Sequence, residues 1–352
     1  MTKGIVGIQQ IGIGIPNVHQ AWDWYRKYFA LDVPIFEEAA EANLMLPYTA
    51  GIAHMRHAIL AISMQGGGGF EIWQYTSRTP QPSENEFQLG DLGIQFPQLK
   101  CRDIIAMHQS MTQQGADVLG GLKTNPLGKQ CFYVRDPYGN IFQIIECDNW
   151  FSNTGALAGG VCGAVIGVSD MEKSLTLYRD ILGYDEVAYD KIDSFSDLSD
   201  LPGGQETFRR VILKHKEVRM GAFSELLGTT EIELLQCMSR RPAKIFENRL
   251  WGDLGFIHLC FDINGMSSLK EECEANGFPF TVDSSNSFDM GEAAGHFTYI
   301  EDPDGTLIEF VETHKIPILK KIGWYLNLRN KNTGKPLPKW ILKTLGLNRK
   351  KG

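Results

Sequence analysis

Phe70-Glu71-Ile72-Trp73-Gln74-Tyr75-Thr76-Ser77-Arg78-Thr79-Pro80 and Ile232-Glu233-Leu234-Leu235-Gln236-Cys237-Met238-Ser239-Arg240-Arg241-Pro242 carry Glu, Gln, Ser, Arg and Pro at equal offsets. Further on, Gly90-Asp91-Leu92-Gly93-Ile94 matches Gly252-Asp253-Leu254-Gly255-Phe256. Asp136-Pro137-Tyr138-Gly139-Asn140 then matches Asp302-Pro303-Asp304-Gly305-Thr306. The order is kept, at an offset of about 160 residues, and self-similarity at a fixed spacing marks a duplicated structural unit. The chain reads as a tandem duplication, with halves at 1–152 and 158–313, a Gly/Ala-rich hinge over Asn153–Gly160, and a tail at 314–352.

Each half divides again. Ile11 to Ile15 alternates Ile and Gly as a strand does, and Asn17 opens a helix with Ala21, Trp24, Tyr25, Tyr28 and Phe29 at helical spacing. In the second half Val165–Val168 is a strand, Asp170 caps a helix bearing Leu175, Tyr178 and Leu182, and Gly183 ends it. Strands follow, clearest at Ala58–Ser63, Phe70–Tyr75, Val211–Lys214 and Glu231–Gln236. Modules two and four repeat the plan, with strands near 93–101 and 255–263, and their last two strands joined at Asp-Pro-x-Gly, where Pro and Gly suit the turn. Pro97 predicts an edge or a bulge. The fold class is α+β: four βαβββ modules in two halves, with mixed, curved sheets forming half-barrels.

The 352 residues, 43% hydrophobic and 22% charged, suit an ordinary globular protein. No apolar run reaches a membrane span, and the start lacks a signal-peptide core. Seven cysteines without a Cys-x-x-Cys pair point to buried thiols in a cytoplasmic protein. Of the 34 Lys and Arg, 11 lie in the tail, which has no acid; the body keeps 23 against 42 Asp and Glu, a charge of −19. Such a body excludes general nucleic-acid binding, which needs a basic surface. The tail, with apolar-basic stretches Ile316–Leu328 and Leu337–Leu347, reads as two amphipathic helices packed on the body or on a second subunit of a homodimer; adsorption to an anionic membrane is the alternative.

The four modules, the Asp-Pro-x-Gly turns and the strand-borne acids resemble the vicinal oxygen chelate superfamily, the group of glyoxalase I, methylmalonyl-CoA epimerase, extradiol dioxygenases and fosfomycin-resistance proteins. The resemblance covers Ile5 to about Glu312. It implies that two modules cup one divalent metal, each giving a ligand from its first strand and one from its last. By register those positions are Gln10 and Glu71, Phe96 and Gln143, Gly163 and Glu233, and His258 and Glu309. Pairing of consecutive modules would leave Gly163, Glu233, His258 and Glu309 as the richer site. Pairing of the outer modules would assemble Gln10, Glu71, His258 and Glu309, the set of glyoxalase I in its animal form, and leave an inner site without metal. The outer pairing is favoured.

That set implies Lewis-acid proton chemistry on a small α-oxygenated carbonyl compound through an enediolate, by a metal-dependent isomerase, lyase or epimerase. The metal would be zinc, nickel, cobalt or manganese, with Glu309 as base and Glu71 opposite it. The alternatives are an iron(II) extradiol dioxygenase and a non-enzymatic ligand-binding protein. Tyr299 ahead of Asp302-Pro303-Asp304-Gly305 resembles the extradiol segment, but Gln10 stands where a first His is expected; His296, three residues from Tyr299, cannot share its inward aim. The positions by which glyoxalase I holds glutathione are Gly14, Tyr75 and Leu254, so no glutathione pocket is visible. Arg56, His57, Arg209 and Arg210 read as surface ion pairs, or as receivers of an anionic group. Gly66–Gly69 reads as a flexible hairpin, and Asp190–Glu206 as a mobile or disordered loop.

Overall fold

The computed structural model describes residues 3–284, 288–289, 294–319, 323–328 and 334–350. Module one is β1 (Gly4–Gly14), α1 (Val18–Phe29), β2 (Val33–Glu41), β3 (Met55–Ile62) and β4 (Gly69–Tyr75). Module two is β5 (Gly93–Cys101), α2 (Ile104–Gln113), β6 (Asp117–Thr124), β7 (Gln130–Arg135) and β8 (Ile141–Glu146). Module three is β9 (Ala158–Gly167), α3 (Met171–Leu175), β10 (Glu186–Asp193), β11 (Phe208–Lys214), the short α4 (Ser224–Leu227) and β12 (Glu231–Cys237). Module four is β13 (Gly255–Asn264), α5 (Met266–Ala275), the short β14 (Val282–Asp283) and β15 (Phe288–Asp289), β16 (Ala294–Glu301) and β17 (Leu307–Leu319). The tail adds β18 (Trp324–Asn327) and α6 (Lys339–Thr344).

Capping follows the sequence. The Asn17 side chain accepts from Gln20 N, and Asp170 accepts from Glu172 N and Lys173 N, each satisfying helix-start donors. After α3 the helix widens into a π turn over Thr176–Ile181 before Gly183, at φ 72°, ends it. In both halves the repeated Gln of the opening motif ties the module's last strand to its helix entrance: Val18 N donates to Gln74 Oε1, and Gln236 Nε2 donates to Ser169 O.

Within each module the first and last long strands run parallel side by side, as β1 does with β4 and β13 with β17. The modules then join by their first strands, antiparallel: β1 pairs β13, and β5 pairs β9. Modules one and four therefore share one curled sheet, and modules two and three the other. The outer pairing favoured from the sequence is the one adopted. Apolar side chains on one face of both sheets pack under the helices in a continuous core that includes Ile11, Tyr25, Phe70, Phe142, Ile166 and Phe310.

The repeated motifs turn out to be reciprocal clasps. Arg78 Nη1 lies 2.6 Å from Asp253 Oδ1, joining modules one and four; Arg240 Nη1 lies 2.7 Å from Asp91 Oδ1, joining modules three and two. Each Asp also accepts backbone donors at matching places: Asp253 from Gln81 N and Leu250 N, Asp91 from Ala243 N and Gln88 N. The Asp-Pro-x-Gly aspartates tie the two sheets through the helices, since Tyr25 donates to Asp136 and Tyr178 to Asp302.

Several expectations are corrected. Ala158–Gly160, assigned to the hinge, already belongs to β9. For Pro97 the bulge alternative holds and the edge one does not: it lies in a central strand, between register shifts at Ile94/Phe96 and Gln98/Leu99. The Gly66–Gly69 turn is tied down: Gly68 and Val161 exchange backbone bonds of 2.8 Å, and a Cβ on Gly67 would meet the Gly160 carbonyl carbon at 2.6 Å. Asp190–Glu206 begins as the end of β10, then buries Phe195, Leu198 and Leu201 against Phe96, Val165 and Leu235. Apolar residues spaced among its Asp and Ser anchor it. The described part of Ile316–Leu328 is strand and hairpin rather than helix, because β17 simply continues and β18 pairs with it; residues 320–322 lie outside the described residues. The second stretch contains α6, and Leu337, Leu342 and Leu345 pack with Ile62, Phe223 and Ile316. No helix among the described residues is long and apolar enough to cross a membrane.

Candidate metal centre

Strand register brings the four outer-pair residues together. Gly12 is opposite both Glu71 on β4 and His258 on β13, while Cys260 is opposite both Gln10 and Glu309. These residues face away from the helices, into the cavity of the first sheet. His258 Nε2 stands 3.0 Å from Glu309 Oε2 and 3.4 Å from Glu71 Oε2. Gln10 Nε2 is 3.4 Å from the same two carboxylate oxygens. All four residues are buried, His258 fully.

Gly12 is part of the construction. A Cβ there would meet the His258 ring, 2.6 Å from Nδ1, so the Ile/Gly alternation of β1 has a reason on each face. Its isoleucines are buried in the core, and its glycine leaves room for an imidazole.

The electrostatics are those of a site short of positive charge. Burial works to lower the His258 pKa, but Glu309 and Glu71 outweigh it and raise it to about 9. With one imidazolium between two carboxylates the cluster still carries net negative charge in a buried setting, which is costly. Gln10 Oε1 has no hydrogen-bond partner. The donor atoms of Glu71, His258 and Glu309 all lie within 4.8 Å of one another. Two carboxylates, an imidazole and an unpartnered amide oxygen fit a borderline divalent cation, which would neutralise the cluster.

Around these four lie Tyr299, already a candidate from the sequence, and Trp251 and Cys260, which the sequence did not single out. Tyr299 Oη is 3.4 Å from His258 Nδ1, where its oxygen can accept an Nδ1 proton and leave Nε2 available to a metal. Burial, then Glu309 and Glu71, push the Tyr299 pKa well up, so the phenol keeps its proton. The Trp251 ring is nearly parallel to His258 at 6.4 Å and packs edge-on against Trp73. The Cys260 thiol lies beside Glu309, and its pKa is raised by burial first and then by that carboxylate. A cavity of about 310 Å³ opens over Gln10, Glu71, Tyr299 and Glu309, walled largely by apolar groups such as Phe36, Met45, Leu60 and Phe223. Ile316 and Leu345 of the tail complete the wall. Arg56 also lines it, but its guanidinium is engaged by Glu38, 3.0 Å away.

The remaining candidates are elsewhere. His296 Nε2 contacts Asp283 Oδ1 at 2.7 Å, away from His258. Glu233 belongs to the second sheet, where Phe96 packs with Tyr133 and Gln143 bonds Gln98. There Arg210, expected at the surface, is fully buried, 2.7 Å from Glu233 Oε1 and 2.8 Å from Asp197 Oδ2. Burial opposes its charge, but Glu233 and Asp197 prevail and raise its pKa. A guanidinium thus supplies, at the inner site, the positive charge that the outer site lacks. Arg209 is exposed and paired with Asp190 and Glu172.

The model of the Glyoxalase/Bleomycin resistance protein/Dioxygenase superfamily matches residues 7–144 and again 162–310. Among solved structures the chain is similar to a putative dioxygenase from Bacillus subtilis (TM-score 0.59, 13% identity, 88% of this chain and 86% of that one). It is likewise similar to glyoxalase I from Zea mays (TM-score 0.56, 11% identity, 88% of this chain and 92% of that one). At these identities the likeness shows the fold alone. No curated protein matches the chain by sequence.

Proposed function

The chain belongs to the Glyoxalase/Bleomycin resistance protein/Dioxygenase superfamily, and from that premise we propose that it is a metal-dependent isomerase, lyase or epimerase moving a proton beside a carbonyl. The observation that carries this reading is the buried convergence of Glu71, His258 and Glu309 on one point, with Gln10 at its edge. Those four residues would hold a single divalent ion, zinc, nickel, cobalt or manganese. Such an ion would supply Lewis acidity to offset the negative charge that proton loss leaves on the substrate.

The chain's own groups do the rest. Glu309 removes the proton from the carbon beside the carbonyl and, now protonated, delivers it back to the enediolate, while Glu71 stands on the other side of the imidazole. Tyr299 holds the His258 ring through Nδ1. Trp73, Trp251, Phe36 and Leu60 exclude water from the reacting carbon. The walls suit an α-oxygenated carbonyl with an apolar substituent, and Gly14, Tyr75 and Leu254 offer no glutathione grip.

The test is proton exchange. Metal-loaded protein in deuterated buffer with 2-hydroxyacetophenone should place deuterium at the carbinol carbon, read by proton NMR. Glu309→Gln should slow that exchange about 10²–10⁴-fold. Absence of exchange with the native protein, over this and a series of apolar 2-hydroxy ketones, would refute the reading. The dioxygenase reading draws on Tyr299 beside His258, and oxygen uptake with catechol under ferrous iron would identify it.

A further inference from the structure

We propose that His19, Glu37 and His57 form a second, solvent-facing site for a divalent transition metal, separate from the central cluster. The three come from α1, β2 and β3. His57 Nε2 is 3.5 Å and His19 Nε2 3.7 Å from one oxygen, Glu37 Oε1. The two rings meet edge to face, with centroids 5.2 Å apart. One donor atom from each residue lies within 4.8 Å of the other two.

Two imidazoles and one carboxylate are the donors that zinc, nickel and copper prefer, whereas calcium and magnesium call for oxygen alone. Side-chain exposures of 58% for His19, 31% for Glu37 and 25% for His57 leave room for water to complete the coordination. Glu37 already attracts a cation, as Lys350 Nζ lies 3.8 Å from its other oxygen.

The site is independent of the central one. Along β3, Ile59 and Ala61 pack under the helices while Ala58 and Leu60 face the cavity side, so His57, in step with Ile59, is on the helix side. Glu71 faces the other way. A ligand at one cluster touches no residue of the other, and the proposal does not rest on the proposed function.

The experiment uses the full chain carrying His258→Ala and Glu309→Gln, stripped with chelator and equilibrated with zinc. Equilibrium dialysis with elemental analysis should find one zinc per chain, and adding His19→Ala with His57→Ala should abolish it. Glu37→Gln alone should weaken it at least tenfold and checks the result should the double change disturb folding. Zinc binding absent from the His258→Ala/Glu309→Gln protein, or unaltered by the His19 and His57 changes, would overturn the proposal. Failure of the central site is read separately, in a protein with His258 and Glu309 intact and His19 and His57 replaced.

Discussion

Gly12 lies directly opposite His258 in the antiparallel pairing of β1 with β13, and the imidazole occupies the space a side chain at residue 12 would fill. The close approach places a module-four ring over a module-one strand, within reach of Glu71. Gly12→Ala should therefore displace the ring and weaken zinc affinity about 10–100-fold, as loss of a ligand's support does. Competition with a chromophoric chelator measures it, with circular dichroism confirming the fold. Unchanged affinity would show that His258 is not held as described.

The reciprocal clasps predict a stability effect without a site effect. Asp253→Ala strips Arg78 of its partner and leaves Gln81 N and Leu250 N unsatisfied, at a cost on the order of 3 kcal/mol. Asp91→Ala should cost about as much for the same reasons in the other sheet. Urea unfolding tests both, and two near-neutral substitutions would contradict the role assigned to the repeat.

At the inner site, Glu233→Gln should destabilise the fold, because Arg210 is fully buried and loses one of its two carboxylates. Metal content should not change. A fall in bound metal would mean that Glu233 is a ligand after all.

His215 gives a pH signature. Burial, against the pull of the Gly183 carbonyl, lowers its pKa to about 4, while the unfolded chain titrates near 6.5. The folded state then binds fewer protons between those values, so stability is full above about 6.5 and declines as pH falls towards 4. His215→Gln should remove on the order of 2 kcal/mol of that dependence. Chemical unfolding at pH 7 and at pH 4.5 provides the comparison; equal pH dependence in both proteins would contradict it.

Much of this architecture is legible in sequence because duplication repeats side chains with jobs. Asp91 and Asp253 recur because each makes the equivalent clasp across to the other half, and Gln74 and Gln236 because each ties its own module's last strand to its helix entrance. The positions of Glu71, His258 and Glu309 follow from family register. Tyr299 was singled out only through its resemblance to the extradiol segment, and Trp251 and Cys260 do not follow at all, since an aromatic or a thiol on an apolar strand looks the same in a core as beside a charge. Arg210 was misread because an arginine's burial depends on its partners, and Asp197 reaches it from the β10–β11 connection at a spacing that announces no contact. The tail's first stretch was misread because Ile316 and Ile318 suit a continued strand as well as a helix face.

The central claim is that modules from opposite ends of the chain hold one cation between them. Elemental analysis of the purified protein, with His19 and His57 replaced by Ala and after dialysis against metal-free buffer, tests it directly. The account predicts one divalent ion per chain, lost in His258→Ala and in Glu309→Gln proteins that keep their native circular dichroism. A metal content that is nil from the outset, or that survives both substitutions, would contradict it.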